Sequence, residues 1–260
     1  MTGITHSVKS RVAAPVWDRT TRWFHWINVL CVLALSVLGL AILNEKSFGV
    51  SAEGKVLLKT LHVYVGYVFA INIAWRIVWA FIGNRHARWR AILPLGRGYG
   101  SALREYVRSF VRGKPPSYLG HNPLGRIMVS LLLIFLATQA ITGLVLAGTD
   151  LYKAPFGGVF AEWVTAGDPD KLAQLAPGSK EFVDPAAYAE MRSFRGPFIK
   201  THLYVFYALM TAVLLHIVGV VVTEVREKNA LVSAMFSGEK MLSDAAVDAV
   251  GETTEIRKDT

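Results

Sequence analysis

Four long stretches of almost uninterrupted apolar residues divide the chain. They lie at about 24–43, 61–82, 126–148 and 200–223. A helix rises 1.5 Å per residue, so about twenty apolar residues can cross the roughly 30 Å hydrocarbon core of a bilayer. In lipid each backbone polar group must be satisfied within the protein, which a helix does by itself. The pattern therefore predicts an all-α integral membrane protein with four transmembrane helices.

A basic segment that contains apolar residues at helical spacing follows the second apolar stretch. In RGYGSALREYVRSFVRG the apolar residues recur at helical spacing among arginines: Leu103, Tyr106, Val107 and Phe110. Such a basic amphipathic helix is expected to lie on the membrane surface. Before the third stretch, Asn122 in GHNPLGR is suited to cap a helix, and Pro123 suits its first position.

The longest segment between apolar stretches covers residues 149–198. It mixes prolines and glycines with KLAQL and PAAYAEM, which predict short helices, so we expect a structured loop that caps the bundle or docks a partner. The tail after Lys228 is polar and expected to be mobile, apart from a short helix at ALVSAMF.

The distribution of charge predicts how the helices cross the membrane. The chain has 260 residues, a net charge of +9 and 53% hydrophobic residues, with a mean hydropathy of +0.37. Between residues 83 and 126 only one acid, Glu105, accompanies nine basic residues: Arg85, Arg88, Arg90, Arg97, Arg104, Arg108, Arg112, Lys114 and Arg126. Residues 149–198 instead carry five basic and seven acidic residues.

Basic loops tend to stay on the cytoplasmic side, which predicts an up-down-up-down bundle with the amphipathic helix and both termini in the cytoplasm. The expected parts are a cytoplasmic N-terminal segment at 1–23, a transmembrane domain at 24–223 and a cytoplasmic tail at 224–260. Topology accounts for the positive charge, so no nucleic-acid partner is predicted.

Seven histidines occur in the sequence, and three lie outside the apolar stretches. We expect His6 and His86 in solvent, and His121 in a loop at the entrance to the third helix. The other four fall within the predicted spans: His25, His62, His202 and His216. A single histidine there is usually a polar contact between helices, but four at matching depths favour ligands.

The depths of these histidines match in pairs. His202 and His216 are fourteen residues apart, which corresponds to about 21 Å along a helix and nearly the same helix face. In the predicted topology His62 shares the outer level with His202, whereas His25 shares the inner level with His216. Two sites with two imidazoles each follow from this arrangement.

Two facing imidazoles limit the metal chemistry. Zinc normally takes four protein ligands, and no carboxylate lies at either depth. Iron in a porphyrin needs only two axial ligands, because the macrocycle supplies four nitrogens. Cys31 is the only cysteine and no C-x-x-C-H motif occurs, so covalent attachment of haem through such a motif is excluded. Glycines on the spans offer room for a flat macrocycle: Gly39, Gly66, Gly143 and Gly219.

Arg76 is an unusual charge within a span. It follows His62 by fourteen residues, so its expected depth is that of His216. Two interpretations remain open: Arg76 pairs with a propionate of the inner haem, or it extends to the nearby membrane surface.

Several motifs together resemble those of a known family. They are RTTRWFHW, LHVYVGYVF, WRIVWAFIGNRHAR, GHNPLGRIM and the spacing of His202 and His216, between about Val16 and Ser237. In these motifs the chain resembles the bacterial di-haem cytochrome b561 family, especially the cytochrome b subunits that anchor membrane-bound nickel-iron hydrogenases.

The resemblance implies two haem b groups with His25, His62, His202 and His216 as axial ligands, in the bacterial inner membrane. It also implies electron transfer between the membrane quinone pool and a periplasmic redox partner, with quinone or quinol as substrate. No catalytic side chain is assigned. The loop at 149–198 is longer than expected for a hydrogenase anchor, which favours a stand-alone protein that works with a periplasmic c-type cytochrome.

Three alternatives remain. The first is a haem-bearing anchor subunit of a hydrogenase or dehydrogenase complex. The second is a proton or metal-ion transporter, which predicts intramembrane carboxylates, but no Asp or Glu occurs in the predicted spans before Glu224. The third is a purely structural membrane anchor, which leaves the four aligned histidines unexplained.

Overall fold

A computed structural model describes residues 12–113, 115–227, 230–242 and 246–248. The described part is mostly helical. Its elements in chain order are β1 (Val12–Pro15), α1 (Arg19–Leu43), α2 (Ala52–Ile82), α3 (Trp89–Ile92), α4 (Tyr99–Val111), α5 (Pro123–Leu151), α6 (Gly157–Val164), α7 (Pro169–Gln174), α8 (Pro185–Glu227), α9 (Leu231–Ser237) and β2 (Glu239–Leu242).

Four helices, α1, α2, α5 and α8, are long and apolar enough to cross a membrane, which confirms the four predicted spans. Each helix extends beyond its span, because backbone hydrogen bonding continues where the side chains become polar. The largest extension is in α8, which begins at Pro185. The separate short helix predicted at PAAYAEM is therefore wrong, since these residues form the start of α8.

The long helices present apolar side chains on their outer surfaces. Leu30, Val37, Ile71 and Ile134 are 67%, 68%, 70% and 61% exposed. In water such a surface would be costly, but hydrocarbon is a favourable surrounding for it. The exposed apolar surface therefore agrees with a multi-pass membrane protein.

The chain forms two compact units. Of the described residues, those within 12–25, 77–132 and 212–248 form the first unit, and residues 26–76 and 133–211 form the second.

In the first unit, the two ends of the described chain pair with each other. Strands β1 and β2 are antiparallel, with Ala14 opposite Lys240. Helix α9 precedes β2, as predicted from ALVSAMF, and Ala234 of this helix is fully buried in a cluster with Trp17 and Leu119. The expectation of a mobile tail is thus wrong for residues 237–242, which follow the predicted helix. Strands β1 and β2 are more than 220 residues apart in the chain, so no local sequence pattern predicts that they pair.

Helix α4 occupies the segment predicted to form the amphipathic helix. Its Tyr106 is 1% exposed, and the phenol donates a hydrogen bond of 2.5 Å to Glu227 Oε1. Asn122 Nδ2 donates to the Tyr106 oxygen at 2.7 Å, while Asn122 Oδ1 accepts from Gly125 N at 2.7 Å. Asn122 therefore caps α5, as expected, and Pro123 is the first residue of that helix.

In the second unit, the segment 149–198 has a small core of its own. Phe160 and Val164 of α6 pack with Met191 of α8. Asp168 begins α7 by accepting hydrogen bonds from the backbone amides of residues 170 and 171 at 2.9 and 3.2 Å. The KLAQL motif supplies most of α7, in agreement with its predicted helix.

Candidate functional site

The second unit brings His62 of α2 and His202 of α8 together. Their ring centroids are 6.4 Å apart, and the ring planes meet at 69°. A metal–imidazole bond is about 2 Å long and the bonding nitrogen lies about 1.1 Å from the ring centre, so imidazoles on opposite sides of one metal ion place their centroids about 6 Å apart. The observed separation therefore suits two axial ligands of one iron. We call this pair the His62/His202 site.

A threonine on α5 sets the tautomer of His202. Thr142 Oγ1 donates to the carbonyl of Thr138 at 2.7 Å, and it lies 2.8 Å from His202 Nδ1. Because its proton is engaged, the hydroxyl accepts from Nδ1–H, which leaves the Nε2 lone pair of His202 available to a metal. Gln139 Nε2 donates to the carbonyl of His202 at 2.8 Å and ties α8 to α5.

Thr142 and Gln139 both contact His202, and the sequence interpretation did not single them out. A signal existed, because both are polar residues within an apolar span and lie three positions apart, on one helix face. That pattern indicates that this face of α5 packs against another helix. It does not show which helix that is, or which histidine lies next to Gln139 and Thr142.

His62 has a different environment. Its Nδ1 is buried and has no hydrogen-bond partner in the described part of the chain. A buried polar nitrogen without a partner is costly, so a ligand that engages the ring would offset this cost.

A cavity of about 430 Å³ adjoins both histidines. Three of the four glycines singled out in the sequence line it: Gly39, Gly66 and Gly143. A methyl group on Gly39 would lie 3.5 Å from His62 Cε1, and one on Gly143 would lie 3.5 Å from His202 Cε1. Larger side chains at these glycines would extend into the space beside the rings. Most of the other lining residues are apolar, so the cavity can hold a flat apolar macrocycle.

A charged cluster of Lys59, Asp150 and Arg195 also lines this cavity. Lys59 Nζ lies 2.6 Å from Asp150 Oδ2, and the Arg195 guanidinium pairs with Asp150 Oδ1. Two cations thus share one carboxylate, and the cluster keeps a net positive charge. It can accept a further carboxylate, such as the propionate of a haem.

His25 and His216 both belong to the first unit. Both rings are half-buried. We call this pair the His25/His216 site. Arg76 is 4% exposed, so its guanidinium lies inside the protein. Its burial argues against the membrane-surface interpretation of this arginine.

The expectation that His86 lies in solvent is wrong, because His86 is 9% exposed. The ring of Trp17 lies against it, with centroids 6.3 Å apart, and Arg85 Nε lies 3.0 Å from His86 Nε2. A side chain on Gly120 would come within 2.9 Å of His86 Nδ1, so the glycine permits this burial. His121 lies just before α5 and packs against Trp17 at 4.8 Å.

The described residues contain no group of three or more His, Cys, Asp or Glu side chains that could hold a bare metal ion. Two imidazoles beside an apolar cavity instead fit an iron that brings four macrocycle nitrogens. The residues present at the His62/His202 site therefore fit a bis-histidine haem.

The chain is similar to known bacterial proteins over nearly its whole length. A family model described as prokaryotic cytochrome b561 matches residues 16–238. A probable Ni/Fe-hydrogenase B-type cytochrome subunit of Bradyrhizobium diazoefficiens is 26% identical over 242 residues, covering 88% of this chain and 86% of that protein. The protein of the same description from Rhizobium leguminosarum bv. viciae is 28% identical over 250 residues, covering 90% and 91%.

A probable Ni/Fe-hydrogenase 1 B-type cytochrome subunit of Escherichia coli K12 is 31% identical over 141 residues, which cover 50% of this chain and 59% of that protein. No solved structure matches the chain significantly.

Proposed function

Because the chain belongs to the prokaryotic cytochrome b561 family, we propose that it moves electrons across the membrane through two b-type haems. One haem is bound at the His62/His202 site and the other at the His25/His216 site. The electrons pass between the quinone pool and a redox partner on the periplasmic side. Haem-bearing electron transfer in a bacterial membrane is the shared property of the family, whereas the haem count, the quinone and the partner are specific to the proposal.

The observation that carries this proposal is the separation of 6.4 Å between the His62 and His202 rings, with Thr142 2.8 Å from His202 Nδ1. A histidine that only joined helices would not need a second imidazole across an apolar cavity. A bound haem supplies reversible one-electron chemistry.

The residues of the second unit have distinct roles in the proposal. His62 and His202 would hold the haem iron through their ring nitrogens, and Thr142 would keep the His202 ring in the tautomer this requires. Lys59 and Arg195 would bind the carboxylates of the haem. The remaining apolar lining limits the access of water to the site, which is one of the factors that set a reduction potential.

The charge distribution supports the proposed orientation. The basic segment 83–126 and both termini lie in the cytoplasm, and the segment 149–198 lies in the periplasm. With this orientation the segment 149–198 is the docking surface for a periplasmic donor or acceptor. A c-type cytochrome is the proposed partner.

A second candidate is an anchor subunit that receives electrons from a hydrogenase module. It is favoured by the relatives, because proteins described as Ni/Fe-hydrogenase B-type cytochrome subunits match the chain over 86% and 91% of their own lengths. Co-purification of a hydrogenase module with the chain would favour this candidate over the stand-alone protein.

The test is an optical redox titration of the purified protein, followed by addition of a quinol and then of a reduced c-type cytochrome. We expect the spectrum of low-spin haem b, two haems per chain, and reduction of haem by the quinol or by the cytochrome. Purified chain without haem would overturn the proposal. Haem that neither donor reduces would leave the haem sites intact but exclude these electron donors.

We expect Thr142→Val to raise the reduction potential of the haem at the His62/His202 site. The hydrogen bond from His202 Nδ1–H to Thr142 makes the imidazole a stronger donor, which stabilises ferric iron. Its loss removes on the order of 1 kcal/mol, which corresponds to a shift of about 40 mV for one electron. Potentiometric titration of the variant measures the shift.

Thr142→Ser is the matched control, because serine keeps the hydroxyl. Its potential is expected to stay at the wild-type value. If Thr142→Val and Thr142→Ser shift the potential equally, packing and not the hydrogen bond is responsible.

A further inference from the structure

The end of one motif that carries the family resemblance, and part of another, have no assigned role at the histidine pairs. Residues of NRHAR, at 84–88, and of GHNPLGR, at 120–126, line one cavity of about 420 Å³ in the first unit. The cavity adjoins the start of α5 through Pro123 and Arg126, and it includes Arg85, three residues after the end of α2. It therefore lies beside the ends of two membrane-spanning helices.

The charge lining this cavity is mainly positive. Arg85, Arg97 and Arg126 line it, together with a single carboxylate, Asp248. That carboxylate is already engaged, because its two oxygens accept hydrogen bonds from the backbone amides of Leu119 and Gly120 at 2.6 and 2.8 Å.

The Arg126 guanidinium is held in place without an anionic partner. It donates to the backbone carbonyls of Arg90 and Leu95 at 3.0 and 3.2 Å, and to that of Leu93. It also lies 5.1 Å from the centre of the Tyr99 ring. Among the described residues, neither Arg126 nor Arg97 forms an ion pair with a carboxylate.

A helix end adds to the positive potential. Gly98 and Tyr99, at the start of α4, line the same cavity, and no side chain caps this end of α4. The first amides of a helix carry a partial positive charge and bind anions readily. Two arginines that pair with no carboxylate of the described residues, and a helix end that none of these residues caps, thus meet at one cavity.

Residues near the C-terminal end of the described chain hold part of the cavity lining in position. Lys240 is 3% exposed, and its Nζ donates to the carbonyls of Gly120 and Tyr118 at 2.7 and 3.3 Å. Burial lowers the pKa of Lys240 to about 8, although the Glu227 and Asp248 carboxylates oppose this shift. Lys240 and Asp248 therefore hold the segment 118–120 in position beside the cavity.

We propose that this cavity binds the phosphate head group of an anionic phospholipid. Arginine forks match phosphate oxygens, and basic pockets at the ends of membrane helices bind anionic head groups. Leu95 lines the cavity and is 69% exposed, which offers an apolar contact for the start of an acyl chain. A free phosphate ion would make no use of that contact.

The test uses the full chain in nanodiscs of phosphatidylglycerol and phosphatidylcholine in equal amounts. After extraction into detergent, native mass spectrometry measures the lipid that remains bound. We expect phosphatidylglycerol to be enriched over phosphatidylcholine, and Arg97→Gln to reduce this enrichment about fivefold, because a single arginine near the surface contributes roughly that factor. Arg97 is exposed, so its substitution is expected to preserve the fold.

Arg104→Gln is the matched control. Arg104 is an exposed arginine of α4 that does not line the cavity, so its substitution removes the same charge from a position seven residues further along the chain and outside the cavity. Equal loss of phosphatidylglycerol in both variants, or no enrichment in the wild type, would overturn the site.

A separate arm adds inorganic phosphate to the protein that retains phosphatidylglycerol. We expect millimolar phosphate not to displace the bound lipid. Efficient displacement would show that the cavity binds free phosphate, and it would overturn the proposed lipid site. Haem content measured in each sample shows that the chain remains folded.

Discussion

Replacing His202 by alanine is expected to lower the haem content from two haems per chain to one, and His216→Ala is expected to remove the other. Each imidazole would be one of only two protein groups that hold the haem at its site, so its loss would weaken haem binding there. The haem that remains should keep its low-spin spectrum and its own potential. Haem analysis together with potentiometric titration distinguishes the two variants.

His121→Ala is the control for these substitutions. His121 packs against Trp17 and is not placed in either histidine pair, so this variant should retain both haems. If His202→Ala and His216→Ala lose the same haem, then these histidines serve one site and the proposed pairs are wrong. Retention of both haems in either variant would exclude that histidine as a ligand.

Gly143→Leu is expected to block the His62/His202 site and leave the other site loaded. A methyl group at this position would lie 3.5 Å from His202 Cε1, an ordinary contact. The further carbons of leucine would then compete with the macrocycle for the cavity, and overpacking a defined site is costly. The haem content should fall from two per chain to about one, as determined by pyridine haemochrome analysis.

Two substitutions calibrate this result. Gly143→Ala adds only the tolerated methyl group and should keep most of the haem. Gly100→Leu adds the same side chain to α4, where nothing lies within 4 Å of the new carbon, and should keep both haems. Full haem content in Gly143→Leu would mean that haem does not occupy this cavity.

The charged cluster bears on the transporter alternative. Asp150 lies in the last turn of α5, outside the predicted span, and contacts both Lys59 and Arg195. Two cations share this single carboxylate, so the cluster keeps a net positive charge. Such a cluster favours an anionic ligand, such as the carboxylates of a cofactor, over a metal cation.

The same cluster could not be predicted from the sequence. Asp150, Lys59 and Arg195 come from three helices, and each occurs in a polar stretch that looks like ordinary loop or helix-end sequence. For Thr142 the sequence offered only a polar position in an apolar span, and it did not show that Thr142 Oγ1 lies 2.8 Å from His202 Nδ1. The burial of His86 depends on Trp17, which lies 69 positions earlier in the chain.

The four membrane-spanning helices, the cap at Asn122 and the four histidines inside the spans could all be predicted from the sequence. These features follow from local hydropathy, helix periodicity and capping chemistry, which act over a few residues. Tertiary packing sets which side chains accompany each histidine, brings Gly39, Gly66 and Gly143 to one cavity, and pairs β1 with β2. Those contacts depend on which faces of distant segments meet, and packing across the whole unit sets that choice.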